Sequence, residues 1–121
     1  MVAVAGDMKQ GGATSIEGLQ NTTCTDWIDQ KYPERCAIFD RVSWERVSAP
    51  LSTLPMRFCI DRFEYPNRRH AFPVIDVTWN ESGEICAGEG KRLCSETEWT
   101  FACEGGEATP YPTGYVRDAM A

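Results

Sequence analysis

Residues 73–106, PVIDVTWNESGEICAGEGKRLCSETEWTFACEGG, carry the strongest local signals in the chain. Thr78 and Glu81 stand three positions apart, as do Ser95 and Glu98. At that spacing a hydroxyl accepts from a backbone N–H of the first helical turn while the carboxylate reaches back to the cap. Two helix starts are therefore marked. At the second, Cys94 precedes the cap and Trp99 falls at the fourth helical position, the arrangement of a hydrophobic staple. Glu96 and Glu98 place negative charge where the helix dipole favours it. Trp99, Ala102 and Cys103 then share one face, and Gly105 and Gly106 supply the stop. The stretch reads as a short strand and two capped helices joined by a tight Gly-rich hinge.

Working outward, MRFCIDRFEY (Met56 to Tyr65) is the clearest strand. Phe58, Ile60 and Arg62 alternate with Cys59, Asp61 and Phe63 on the opposite face. Downstream, Tyr111 to Tyr115 (YPTGY) places Pro112 and Gly114 where a turn can carry the chain back to the sheet. Upstream, Met1 to Ala5 reads as a strand ended by Gly6-Asp7. Residues 8–23 are Gly, Ser, Thr and Gln rich with little periodicity and read as loop. Residues 24–39 set Trp27, Ile28, Tyr32, Ile38 and Phe39 among charges around Pro33, consistent with a helical turn and a strand tethered by a disulfide. Val42, Trp44 and Val47 alternate in part and suggest a further short strand.

At 121 residues the chain is one domain at most. A net charge of -6 leaves no basic stripe, which argues against a nucleic-acid partner. No stretch has the apolar length of a membrane span, and the first thirty residues lack a charged start followed by an apolar core.

Six cysteines are many for this length, and none falls in a C-x-x-C metal module. Cys24, Cys36, Cys59, Cys86, Cys94 and Cys103 are expected to form disulfides, which places the chain in an extracellular or periplasmic compartment. Six cysteines allow fifteen pairings, and the choice stays open. Cys24 with Cys36 is the simplest, since both lie in one loop-rich segment. Cys94 with Cys103 is disfavoured, because nine helical residues separate their Cα atoms by about 13 Å.

Among titratable residues, Asp61 and Glu64 form an acidic pair whose general acid/base reading yields to the commoner one, a carboxylate bonded at a strand end. His70 stands alone beside Arg68 and Arg69 in a polar turn, so His-assisted Ser or Cys catalysis has no support. Arg92, just ahead of the second helix, is suited to brace a carboxylate such as Glu96 or Asp61 bidentately.

DVTWNESGEIC, GKRLCSETEWTFACEGG and YPTG together resemble the signature of the formylglycine-generating enzyme, or sulfatase-modifying factor, family. Phe58, Ile60, Asp61, Glu64 and Asn67 are similar to the family's strand F-x-I-D-x-x-E-V-T-N, and Met1 to Gly6 to its opening M-V-x-V-P-G. The resemblance implies an α+β, C-type-lectin-like fold: two short helices packed on a small antiparallel sheet, loop-rich and here incomplete. Residues 56–115 are the best-matched core, and 8–55 a loop-rich, Cys-containing insertion, within a single partial domain spanning 1–121. Asp61, Glu64, Asn67, Trp79, Arg92, Glu96, Glu98 and Trp99 are the framework residues that the resemblance places.

In that family the copper-binding cysteine pair, the oxygen-activating site and the calcium sites lie in the second half of the domain. Nothing here aligns to that half, so no catalytic, cofactor-binding or metal-ligating residue carries over, and this chain is expected to hold no cofactor. The family's groove helix after the strand is replaced by Arg68 to Phe72, and its proline in GKRLP by Cys94, which suggests an added disulfide. The expectation is an N-terminal part of a formylglycine-generating-enzyme-like domain, inactive alone and completed by a missing half or a second chain. The alternative is a non-catalytic lectin-like module of an exported protein, displaying loops for a protein or glycan ligand.

Overall fold

The computed structural model of the chain describes residues 1–31 and 33–118. Tyr32 and residues 119–121 lie outside the described residues. The architecture is α+β, with four helices and two small antiparallel sheets among the described residues, consistent with an incomplete lectin-like fold.

Strand β1 (Val2–Lys9) pairs with β4 (Thr53–Ile60) without a break, from Val2 opposite Ile60 to Lys9 opposite Thr53. The expected alternation holds: Phe58 and Ile60 are half-buried and Cys59 is exposed. The strand ends at Ile60, so Asp61, Arg62 and Phe63 belong to the following turn. Gly6 does not end β1. Its backbone sits at φ 150, and the absence of a side chain admits the Phe101 ring, whose Cζ would lie 3.1 Å from an added Cβ.

The second sheet pairs β2 (Cys24–Asp29) with β3 (Arg35–Phe39) in an irregular register. Cys24 and Cys36 are bridged across it. Residues 115–117 return to the outer side of β3: Phe39 N donates to Tyr115 O at 2.9 Å and Arg117 N to Ala37 O at 2.8 Å. The turn that delivers them is the expected YPTGY, closed by Tyr111 and Gly114 bonding each other's backbone.

Two further helices correct the sequence reading. Helix α1 (Ile16–Asn21) lies in a segment read as loop, and α2 (Arg41–Ser48) where Val42, Trp44 and Val47 suggested a strand. The overlooked signals are caps: Ser15 Oγ accepts from Gly18 N, and Asp40 accepts from Ser43 N at 3.1 Å. Once Asp40 starts a helix, Trp44 and Ser48 fall four apart on one face, and both are buried.

The core gathers here. Cys36, Phe39, Trp44, Phe101 and Ala108 are its buried apolar members, joined by buried Gln20, Thr23 and Ser48. Most polar groups drawn inside find partners, but the buried Ser48 hydroxyl has none among the described residues. Gln20 Nε2 donates to Ala108 O at 3.0 Å and Trp44 Nε1 to Glu107 O at 2.8 Å. The Tyr111 hydroxyl donates to Cys36 O, and its ring meets Phe39 edge-on with centroids 5.9 Å apart.

Candidate functional site: an open groove beside the second capped helix

Helices α3 (Trp79–Gly88) and α4 (Glu96–Glu104) form where the caps place them. Glu81 N donates to Thr78 Oγ1, and at Ser95 the capping box is complete in both directions. The faces differ from expectation. Helix α4 buries Phe101 against β1, while Trp99, Ala102 and Cys103 face outward, and α3 buries no residue. Phe101 was legible only together with Gly6, since the ring needs a strand position without a side chain.

The outward faces of α3, α4 and the end of β4 enclose an open groove of about 1280 Å3. Its apolar walls include Phe58, Ile60, Leu93, Trp79 and Trp99. The last two are 78% and 61% exposed, large apolar surface that a finished fold ordinarily covers. Elsewhere in the chain, Phe72 and Ile75 are exposed as well.

The polar framework at the rim is specific. Lys91 Nζ donates to Asp61 Oδ1 at 2.8 Å, tying the hinge to the end of β4, and that bond holds the lysine above its ordinary value. Arg92 clasps Glu98 with Nη1 to Oε1 at 2.6 Å and Nη2 to Oε2 at 2.7 Å. The expected bidentate brace therefore exists, with Glu98 rather than Glu96 or Asp61 as its acceptor. Ser95 N also donates to Glu98 Oε1, and the arginine bonds, then this one, pull the carboxyl down to about 2.

Asn67 and Glu64 close the turn after β4: Phe63 N donates to Asn67 Oδ1 at 3.0 Å, and Asn67 N to Glu64 O at 2.7 Å. Glu96 stands exposed in the first turn of α4. The structure thus gathers Asp61, Trp79, Arg92, Glu96, Glu98 and Trp99 on the groove with Glu64, while Asn67 acts one step behind. His70 is exposed in its turn, as expected.

Cysteine chemistry departs from the expected set. Only Cys24 and Cys36 are bridged among the described residues; Cys59, Cys86, Cys94 and Cys103 are thiols, and all four line the groove. Burial, then the Glu98 carboxylate, pushes the Cys94 thiol up.

Calcium needs about six to eight oxygen ligands, whereas Asp61 and Glu98 are committed to Lys91 and Arg92. No group of three or more His, Cys, Asp or Glu among the described residues is placed to hold a metal ion. No helix among them is long and apolar enough to cross a membrane.

A helix-and-sheet domain with a capped GKRL-type hinge and an uncovered groove is the class these features define. The model of the sulfatase-modifying factor enzyme 1-like domain matches residues 16–121, and the chain belongs to that family. It is similar to the inactive C-alpha-formylglycine-generating enzyme 2 of Bos taurus, 50% identical over 44 residues, 36% of this chain and 15% of the relative. The Mus musculus protein of that name is 49% identical over 43 residues, 35% of this chain and 14% of the relative. The formylglycine-generating enzyme of Mus musculus is 45% identical over 38 residues, 31% of this chain and 10% of the relative. The matched segments thus span a small part of the curated relatives. No solved structure matches the chain.

Proposed function

We propose that the chain is the N-terminal framework portion of a formylglycine-generating-enzyme-like domain, and that it does not by itself oxidise a protein cysteine. The observation that carries this reading is the groove. The residues most like the family, around α3 and α4, leave Trp79 and Trp99 78% and 61% exposed, and α3 buries no residue. A block that builds fold rather than chemistry, left open on one side, is suited to receive more polypeptide.

The covering polypeptide is the rest of the domain, from the same chain or a second one. In this reading residues 56–115 are the core that best matches the family and 8–55 a loop-rich, Cys-containing insertion. The stapling disulfide supports an extracellular or periplasmic location. Copper and calcium, where such a domain uses them, belong to the covering part. The alternative of a free-standing lectin-like module for a protein or glycan ligand draws no support from the relatives.

The test is to incubate the purified 121 residues with a Cys-containing sulfatase peptide and copper(I), following the peptide by mass spectrometry. No formylglycine is expected. Turnover by this chain alone overturns the reading.

A further inference from the structure

The chain contains two adjacent pairs of basic residues, Lys91-Arg92 and Arg68-Arg69, and the fold treats them oppositely. Lys91 and Arg92 stand at the hinge before α4, held to Asp61 and Glu98 by ion pairs of 2.8 and 2.6 Å. Arg68 and Arg69 are exposed, and no ion pair among the described residues holds either. They open the longest unbroken run of exposed residues among those described, 68–81, and within it residues 68–78 belong to no helix or strand. Phe72, in the same run, is 94% exposed. The backbone is fastened lightly: Ala71 N donates to Arg68 O at 3.1 Å, and Val74 N to Tyr65 O at 3.0 Å closes the loop behind it. An exposed segment with few backbone bonds to give up is what an endoprotease can draw into the extended form its cleft requires. The other basic residues are less available. Lys9, Arg35, Arg41, Arg46 and Arg57 lie within strands or helices, and the backbone of Arg117 is bonded to β3. Lys31 and Arg62 have no basic neighbour in the sequence.

We propose that Arg68-Arg69 is a processing site for a serine endoprotease that reads paired basic residues, and that the bond cleaved is Arg69–His70. The Arg69 guanidinium enters a specificity pocket that carries a carboxylate, and Arg68 is free to reach a second acidic subsite. The enzyme's serine attacks the Arg69 carbonyl carbon, the C–N bond to His70 breaks, and the nitrogen leaves with a proton from the enzyme's histidine. Water then releases the acyl group as a carboxylate on Arg69, so the reaction consumes one water and no other reactant. The cut falls between β4 and α3, which both contribute to the groove, and removes the covalent link between them. The pieces 1–69 and 70–121 stay together. Gln20, Phe39 and Trp44 of the first bond to Ala108, Tyr115 and Glu107 of the second, and the Phe101 ring sits over Gly6. The disulfide lies wholly in the first piece. Processing thus yields a two-piece domain whose groove walls are joined by contacts alone, whatever polypeptide covers the groove.

The test exposes the folded protein to a kexin-type endoprotease, which cuts after paired basic residues, and maps the products by intact mass. The expected products are residues 1–69 and 70–121, whose masses sum to that of the parent plus one water, and which elute together at the parent's size in gel filtration. The reduced and alkylated, unfolded chain is expected to be cut after Arg92 as well. Arg68→Gln combined with Arg69→Gln is expected to abolish the cut in the folded protein, whereas Arg62→Gln leaves its rate unchanged. Resistance of the folded protein, a cut after Arg92 as fast as that after Arg69, or pieces that separate under native conditions overturns the proposal. Should the double variant lose its helical circular dichroism, the cleavage map of the unaltered protein decides alone.

Discussion

Arg92 and Glu98 meet through two parallel bonds of 2.6 and 2.7 Å across the cap of α4, and the same carboxylate accepts from Ser95 N. One glutamate therefore completes the helix cap and locks the hinge that precedes it. Such a fork-to-fork pair depends on the planar guanidinium, which a lysine cannot reproduce.

The pair makes stability pH-dependent in a definite direction. Glu98 has its folded value drawn to about 2 from 4.5, so its stabilisation is present above about pH 4.5 and is lost as pH falls toward 2. The melting temperatures of the unaltered chain and of Glu98→Gln should differ above pH 4.5 and converge on acidification. Parallel curves through that window would show that the pair contributes nothing.

Trp44 is 1% exposed and donates its indole N–H to Glu107 O. Trp44→Phe keeps most of the apolar volume but leaves that carbonyl without the donor, an expected loss of about 1–3 kcal/mol. Urea unfolding checks this, and an unchanged midpoint would remove the bond from the account of the core.

Gly6 holds φ 150 and faces the Phe101 ring at close range. Gly6→Ala adds both backbone strain and a clash, with an expected cost of about 1–2 kcal/mol. A stability equal to that of the parent would mean that the strand and α4 can separate without penalty.

Trp79 and Trp99 are exposed on the groove and should contribute little to the stability of the chain alone. Trp79→Ser and Trp99→Ser are expected to shift unfolding by no more than about 0.5 kcal/mol. Both should weaken the binding of an apolar fluorescent dye, because the groove loses aromatic surface. Strong destabilisation would show that the groove is already packed.

Much of the local structure was legible because its causes are local. Thr78 and Ser95 start their helices by side-chain bonds to backbone three residues away, and the alternation of Phe58, Cys59 and Ile60 is written in adjacent positions. Of the pairings the sequence left open, the simplest, Cys24 with Cys36 in one short segment, is the bridge that the structure contains. The same local reading missed α1 and α2, where Ser15 and Asp40 were caps without the reciprocal glutamate that marked the others.

By itself the sequence determined the family, the two capped helices and the β4 alternation. Each rests on residues within a few positions of one another. Only the tertiary structure decided that Phe101 rather than Trp99 turns inward, that Arg92 selects Glu98, and that four thiols meet on one open groove. Those outcomes depend on which surfaces the chain brings together from distant positions, such as Gly6 under Phe101 and Glu107 under Trp44, and no local pattern encodes them.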